Sequence, residues 1–174
     1  MIIKKENPII ELIKGDITKL DVNCIVNAAN KELRGGSGVC GAIFRASGSY
    51  EELQKECYSK ASIKTGEAAI TKGYNLKAKY IIHAVGPIYS YDDINDSKLL
   101  YNAYYNSLKL AEEYSIKSIA FPSISTGVYN YPINKASKIA LKAINEFNYK
   151  TIEKVIIVCF DDETYNEYMK NAQD

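Results

Sequence analysis

Short apolar stretches alternate along this chain with longer segments in which apolar residues recur every three or four positions. The clearest helical pattern lies in Ile133–Phe147, where Ala136, Ala140 and Ile144 share one face. The clearest buried strand is Lys154–Cys159, a continuous run rich in β-branched residues, of the kind that is covered on both faces of a sheet.

The full pattern predicts an alternation of strands and helices. The predicted strands are Ile9–Lys14, Val22–Asn27, Glu67–Lys72, Tyr80–Val85, Ser118–Pro122 and Lys154–Cys159. The predicted helices are Val39–Ala46, Tyr50–Lys60, Lys98–Tyr114, Ile133–Phe147 and Asp162–Asn171, the last with Asp161 or Asp162 as N-cap. This order indicates a layered α/β domain with a largely parallel sheet. Ligands of such sheets bind beyond the carboxyl ends of the strands, so the segments that follow each strand are candidate binding loops.

Size and charge narrow the class of protein. A length of 174 residues fits one domain, which we take to span 1–174. With 22 basic and 21 acidic residues, the net charge of +1 gives no electrostatic reason to expect a nucleic acid or an anionic membrane as partner. Arg34 and Arg45 are the only arginines, so an anion site must rely on backbone N–H groups or on lysine.

The remaining composition argues for a reduced compartment and against a metal site. The N-terminus lacks the features of a signal peptide, and no apolar run approaches the length of about 18 residues that a membrane span needs. We therefore expect a cytoplasmic protein. His83 is the only histidine and the four cysteines form no C-x-x-C pair, so we expect neither a metal nor a cofactor.

A glycine-rich loop follows the second predicted strand. Gly35, Gly36, Gly38 and Gly41 fall within seven residues, and a helix begins there. Such a loop offers unpaired N–H groups and the positive end of a helix, which suits a phosphate. The spacing matches neither a P-loop nor the dinucleotide-binding fingerprint, so the glycines alone leave a tight structural turn equally open.

A second loop of the same character follows the strand Ser118–Pro122. The segment Ser123–Pro132 carries hydroxyls and a glycine and leads into a helix. Two such loops side by side would hold a diphosphate between two sets of N–H donors, and this favours a ligand site over two structural turns.

Two single residues are candidates for binding a base. Asp16 follows the first strand and could accept an exocyclic amine, as from adenine, or could serve only as a turn or cap carboxylate. Phe160 follows the last strand and could stack on a base or belong to the core.

Six motifs occur in order along the chain: G-D-I-T, V-N-A-A-N, G-G-S-G-V-x-G-A-I, T-G-E-A, K-G-Y-N-L-K-A-K-Y-I-I-H-A-V-G-P and P-S-I-S-T-G-V-Y. Together they resemble the motifs of a macrodomain. The chain is similar, over roughly Ile9 to Tyr168, to the MacroD-type branch, which binds and hydrolyses ADP-ribose conjugates. The resemblance implies a three-layer α/β/α sandwich around a mixed, largely parallel sheet.

The resemblance also implies roles for individual residues. Asp16 would bind the adenine amine beside the Ile17 backbone, Phe160 would pack on the adenine, and Asn27 would support the floor of the cleft. Asn30 and Tyr129 would contact the distal ribose. The two loops would hold the ribose and the diphosphate through Gly36, Ser37, Gly38, Val39, Cys40, Pro122, Ser123, Ser125, Thr126, Gly127, Val128 and Tyr129. The implied catalytic set is Asn30, Gly38, Cys40 and Tyr129. His83 would be a structural histidine, as expected of a histidine in an apolar strand.

The sequence departs from the MacroD-type pattern at two positions. The family usually reads G-V-D-G-x-I-H, whereas Cys40 stands here in place of the aspartate and Phe44 in place of the histidine. The aspartate is the residue credited with activating water, so its absence puts the usual general-base mechanism in doubt. We interpret Cys40 as a thiol that fills the space of the carboxylate, in preference to a nucleophile.

Two functions therefore remain open. The first is hydrolysis of ADP-ribose esters, either on acidic side chains or in O-acetyl-ADP-ribose, with a water positioned by loop backbone, Asn30 and the substrate diphosphate. The second is a reader module that binds ADP-ribose without turnover. In either case the expected partner is ADP-ribose or an ADP-ribosylated molecule, and we expect a monomer.

Overall fold

Seven strands form one mixed sheet in the computed structural model, which describes residues 1–173. They are β1 (Ile2–Lys4), β2 (Ile9–Lys14), β3 (Cys24–Ala28), β4 (Ala68–Lys72), β5 (Tyr80–Ala84), β6 (Ser118–Phe121) and β7 (Lys154–Cys159). Their order across the sheet is β1-β2-β7-β6-β3-β5-β4. The five central strands run parallel, and the edge strands β1 and β4 run antiparallel to their neighbours. The carboxyl ends of all five central strands therefore meet at one edge.

The described residues also form five α-helices and one 3₁₀ turn, of which all but the last helix lie between strands. They are α1 (Gly38–Ala46), α2 (Tyr50–Lys60), α3 (Asp93–Glu113), α4 (Ile133–Glu146), α5 (Asp162–Ala172) and the 3₁₀ turn Ile17–Lys19. Asp161 is the N-cap of α5, where its carboxylate accepts a hydrogen bond from the Thr164 amide at 2.9 Å. No helix in residues 1–173 combines the length and the apolar character that crossing a membrane demands.

The helices cover both faces of the sheet and make three layers. Helices α3, α4 and α5 pack in one core with alternate strand residues, such as Val26 of β3 and Ile157 of β7. Helices α1 and α2 pack in a second core with the intervening residues, such as Ile25 and Ile156. Successive side chains of each strand point to opposite faces of the sheet, so each strand contributes residues to both cores. The three-layer α/β/α sandwich with a mixed, largely parallel sheet is confirmed.

Some predicted boundaries were wrong. β1 was not predicted, because three residues followed by charged side chains give no alternating pattern, and only pairing with β2 defines the strand. α3 begins at Asp93, five residues before the predicted Lys98. Its first turn is set by the Asp92 cap, which accepts from the Asn95 amide at 3.2 Å, while the exposed Ile94 breaks the apolar period. β3 covers Cys24–Ala28 rather than Val22–Asn27.

Candidate functional site

The two predicted loops meet around one cavity of about 320 Å³ at the carboxyl edge of the sheet. The predicted residues that line it are Asn30, Gly36, Ser37, Gly38, Val39, Cys40, Ser123, Ser125, Gly127, Val128 and Tyr129. Ile124, which lies within the predicted second loop, lines it too, as do three residues that the sequence analysis did not predict: Ala28, Ala29 and Gly86. Every one of these residues is uncharged, so an anion bound here would rely on backbone N–H groups, hydroxyls and amides.

Asn30 fixes the shape of the first loop. Its Oδ1 accepts a hydrogen bond from the Arg34 amide at 3.0 Å, and its Nδ2 donates to the Arg34 carbonyl at 2.9 Å. Gln54 of α2 holds the next residues, since its Oε1 accepts from Gly35 N at 2.8 Å and its Nε2 donates to Leu33 O at 2.9 Å. An amide has two donor hydrogens and two acceptor lone pairs, so Asn30 keeps one of each for a ligand.

Two buried tyrosines carry the second loop. The Tyr104 hydroxyl donates to the Pro122 carbonyl at 3.2 Å and accepts from the Ile124 amide at 2.9 Å. The Tyr168 hydroxyl donates to Ser123 Oγ at 3.0 Å. Because the rings belong to α3 and α5, the packing of these helices on the sheet determines where the loop lies.

Ser125 is the least satisfied polar residue of this loop. It is buried with φ of +70°, and its Oγ has no hydrogen-bond partner among residues 1–173. An unpaired buried hydroxyl costs about 1–3 kcal/mol unless a ligand or water bonds to it. Ser125 also lines the cavity, with its Oγ buried against Gly86.

A buried polar network lies beneath Cys40. Cys40 Sγ accepts from Asn27 Nδ2 at 3.5 Å and donates to the Arg34 carbonyl at 3.7 Å. The same Nδ2 donates to His83 Nδ1 at 3.1 Å, so the proton of the imidazole lies on Nε2, which donates to Thr71 Oγ1 at 2.9 Å. The cysteine thiol is thus hydrogen-bonded on both sides, and Asn27 lies behind Cys40 in the cavity wall.

His83 is a neutral core histidine. Complete burial, with a smaller contribution from the positive charge of Lys60, lowers its pKa from 6.5 to about 3. Asn27 and Thr71 each form a hydrogen bond with one of its two ring nitrogens, so neither nitrogen is free for a reacting group.

Asp16 and Phe160 follow the ends of two neighbouring strands and are not among the residues that line the cavity. β2 and β7 are parallel neighbours with Lys14 opposite Cys159, so the residues that follow them leave the sheet side by side. Phe160 is 83% exposed, so the alternative that places it in the core is wrong. Asp16 caps the 3₁₀ turn: its Oδ1 accepts from Thr18 N at 2.9 Å and from Thr18 Oγ1 at 2.7 Å.

Opposite pKa shifts distinguish Asp16 from Tyr129, two titratable side chains that the sequence analysis assigned to the ligand. The hydrogen bonds from Thr18 lower the pKa of Asp16 against the opposing effect of desolvation, so its carboxylate is charged at neutral pH. Desolvation raises the pKa of Tyr129, with smaller contributions from Glu32 and Cys40, so its phenol stays protonated. Tyr129 can therefore donate a hydrogen bond but cannot act as a base at neutral pH.

The other predicted residues outside the lining have structural contacts. Ile17 is buried in the core shared with α1. Thr126 Oγ1 donates to the carbonyl and the Oγ of Ser123, both at 3.0 Å, and so tightens the second loop from within. The Pro122 carbonyl accepts from Tyr104.

Comparison with known proteins decides the family. A family model described as Macro domain matches residues 26–140, which include both loops up to the middle of α4. A macro domain-containing protein of Chlorobaculum tepidum is 48% identical over 167 residues, covering 95% of this chain and 96% of the relative. The chain belongs to the macro domain family.

Two further comparisons concern ligands and activity. A protein of Escherichia fergusonii named O-acetyl-ADP-ribose deacetylase is 46% identical over 163 residues, covering 91% of this chain and 92% of that protein. A solved structure of a mutant Oceanobacillus iheyensis macrodomain with ADPR has a TM-score of 0.92 and 41% identity, and covers 99% of this macro domain and 96% of that chain.

The residues that the sequence analysis missed share one property. Ala28, Ala29 and Gly86 lie at or just after the carboxyl ends of the neighbouring strands β3 and β5. Both predicted loops also follow the carboxyl ends of strands. Small apolar side chains carry no chemical signal of their own. Their place in the cavity wall follows only from strand pairing.

Proposed function

We propose that this macro domain binds ADP-ribose in the cavity and hydrolyses esters of its distal ribose. The substrates would be ADP-ribosylated acidic side chains or O-acetyl-ADP-ribose. The observation that carries the proposal is the meeting of the glycine loop and the Ser123–Tyr129 loop around one uncharged cavity. The relative named O-acetyl-ADP-ribose deacetylase and the related structure with ADPR support it.

The proposed pose places the adenine between Asp16 and Phe160. The second oxygen of the Asp16 carboxylate would accept from the adenine amine, because both Thr18 hydrogen bonds go to Oδ1. The exposed ring of Phe160 would pack on the base. The diphosphate would lie between the two loops, with N–H groups of the second loop and of the start of α1 as donors.

The distal ribose would lie beside Asn30 and Tyr129. The free Nδ2 hydrogen and Oδ1 lone pair of Asn30 would bind a ribose hydroxyl, and the protonated phenol of Tyr129 would cover the ring. Gly36, Ser37, Gly38 and Val39 would enclose it through their backbone.

Hydrolysis would follow from positioning. A water held by loop backbone, Asn30 and a phosphate oxygen of the substrate would add to the ester carbonyl. Loop N–H groups would stabilise the charge that develops on the carbonyl oxygen. The bond from the acyl carbon to the ribose oxygen would then break, which yields a carboxylic acid and ADP-ribose. The phosphate oxygen would accept the proton of the water and return it to the departing ribose oxygen.

A reader module that binds ADP-ribose without turnover is the second candidate. The observation that favours it is Cys40, a thiol hydrogen-bonded to Asn27 and Arg34 in the position where MacroD-type enzymes carry a carboxylate. None of the described lining residues can replace that carboxylate, because all of them are uncharged.

Release of ADP-ribose separates the two candidates. The protein is incubated with a mono-ADP-ribosylated, carboxylate-linked substrate, release is followed over time, and binding of free ADP-ribose is measured by calorimetry. The hydrolase predicts release that Asn30→Ala abolishes while most of the binding remains. Asn145→Ala, on the exposed side of α4, is the matched control and should change neither.

The outcomes that oppose the proposal are distinct. Binding without release above background at high enzyme concentration identifies a reader. A flat titration with ADP-ribose rejects both candidates.

A further inference from the structure

Three large apolar side chains stand in solvent on the segment that follows β5. Ile88 is 67% exposed, Tyr91 is 85% exposed and Ile94 is 86% exposed, although all lie within seven residues of one another. We call residues 88–94 the rim segment. Exposed apolar residues that are scattered singly need no explanation, but three within seven residues offer apolar area to a partner.

Side-chain hydrogen bonds hold the rim segment rigid. Ser90 donates from its amide to Asp96 Oδ2 at 2.8 Å and from its hydroxyl to Asp96 Oδ1 at 2.9 Å. The Tyr89 hydroxyl donates to Asp93 Oδ1 at 2.9 Å, and Lys135 pairs with the same carboxylate at 3.0 Å. The apolar side chains are thus presented on a fixed backbone, which reduces the entropy lost when a partner binds.

The rim segment is continuous with the cavity wall. The Tyr89 amide donates to the Tyr129 carbonyl at 2.9 Å, and both Tyr129 and Gly86 line the cavity. Aromatic contacts extend this connection, because the Tyr89 ring packs on Tyr91 at 4.7 Å and on Tyr131 at 4.9 Å between centroids.

We propose that the rim segment is the docking surface for the polypeptide that carries the ADP-ribosyl group. The inference rests on the proposed function, in which the distal ribose lies at Tyr129. A polypeptide joined to that ribose leaves the cavity past Tyr129 and meets Ile88, Tyr91 and Ile94, which would contact apolar side chains near the modified residue.

The dimensions of an extended chain suit this contact. A chain spans at most about 3.6 Å per residue, so Ile88 lies within about 7 Å of Gly86, Tyr91 within about 18 Å and Ile94 within about 29 Å. By the same measure, the residues up to about eight positions from a modified side chain cover that range. Free ADP-ribose and O-acetyl-ADP-ribose carry no polypeptide and would leave the surface unused.

The test removes the apolar surface and leaves the cavity unchanged. The triple variant Ile88→Ser, Tyr91→Asn, Ile94→Ser is compared with the wild-type chain. Asparagine is chosen at Tyr91 because the residue has φ of +64°, a conformation that asparagine tolerates. The matched control is Ile2→Ser with Tyr58→Asn, two exposed apolar residues in β1 and in α2.

Three quantities are measured: the KM and kcat for release from an ADP-ribosylated protein, the same constants for O-acetyl-ADP-ribose, and the Kd of free ADP-ribose. In the triple variant we expect KM for the protein substrate to rise about tenfold, as for the loss of a small interface cluster. The constants for O-acetyl-ADP-ribose and the Kd of ADP-ribose should stay within about twofold. The control variant should match the wild-type chain throughout.

Failure of this inference differs from failure of the proposed function. An unchanged KM for the protein substrate in the triple variant overturns the docking surface while hydrolysis stands. If the wild-type chain releases nothing, the Kd of the ADP-ribosylated protein replaces KM as the readout. If the wild-type chain does not bind ADP-ribose at all, the proposed function fails first, and the docking surface fails with it.

Discussion

Gly86 lies directly against Ser125. A Cβ added at Gly86 would overlap Ser125 Oγ and would lie 2.5 Å from Cγ2 of Ile124. The two residues are distant in sequence and meet because Gly86 ends the β5 side of the cavity while Ser125 lies in the loop after β6. The absence of a side chain at Gly86 therefore allows the second loop to pack against the β5 side of the cavity.

Gly86→Ala is predicted to displace the second loop. The variant should lose about 1–3 kcal/mol of unfolding free energy, the usual cost of overpacking a buried site, and should bind ADP-ribose more weakly. Denaturant unfolding and calorimetry measure the two effects. Gly15→Ala is the control, since a Cβ there would meet nothing within 4 Å.

Adding Ser125→Gly to Gly86→Ala should recover part of the lost stability. Glycine removes the overlapping Oγ and accepts the φ of +70° without strain. If Gly86→Ala behaves like Gly15→Ala in both measurements, the contact does not position the loop.

Tyr104→Phe is predicted to destabilise the second loop by removing the buried hydroxyl that supports it. The change leaves the Pro122 carbonyl and the Ile124 amide without their buried partner, at a cost of about 1–3 kcal/mol of unfolding free energy. ADP-ribose affinity should fall as well, because Ile124 lines the cavity. Tyr105→Phe, an exposed neighbour on α3, provides the control, and equal stability of the two variants would show that the hydroxyl does not support the loop.

Cys40→Ser and Cys40→Ala are predicted to keep ADP-ribose binding and turnover within a few fold of the wild-type chain. The thiol accepts from Asn27 and donates to Arg34, a role that a serine hydroxyl can take over. Calorimetry and the release assay measure the outcome. Retained binding with complete loss of turnover in both variants would instead identify the thiol as a reacting group.

His83 is predicted to make stability depend on pH above the range of the carboxylates. Its pKa in the folded chain is about 3, against 6.5 when unfolded, so the unfolded state binds the proton first. The stabilisation is complete above about pH 6.5 and is lost as the pH falls toward 3, by about 1.4 kcal/mol per pH unit.

The pH dependence is checked by denaturant unfolding between pH 7.5 and about pH 5, where carboxylates such as Asp16 and Asp161 have not begun to protonate. In the His83→Gln variant, glutamine offers an acceptor and a donor but does not titrate. The unfolding free energy of this variant should therefore change less with pH over this range. Equal slopes for the two proteins would contradict the buried neutral histidine.

Local patterns along the chain predicted most elements, but they missed β1, started α3 too late and started β3 two residues too early. The bounds of β2, α2 and β7 match the prediction. β1 exists through its pairing with β2, and the start of α3 depends on the Asp92 cap, so neither follows from hydrophobic spacing.

The candidate site, like the fold, was predicted only in part from local sequence patterns. Glycine and hydroxyl residues at strand ends were sufficient to locate both loops. The supports of these loops were not predicted: Tyr104 looked like one more core residue of α3, and Gly86 like an ordinary glycine. Their importance lies in contacts with Ile124 and Ser125 that no spacing along the chain indicates.

By itself, the sequence determined that strands alternate with helices, that two loops rich in backbone donors follow strands, and that Cys40 replaces an expected carboxylate. Only the tertiary structure decided that both loops face one cavity, which small residues complete it and which hydroxyls support it. The physical reason is that a period or a cap arises from neighbours along the chain, whereas a cavity arises from strand order, which brings together residues far apart in sequence.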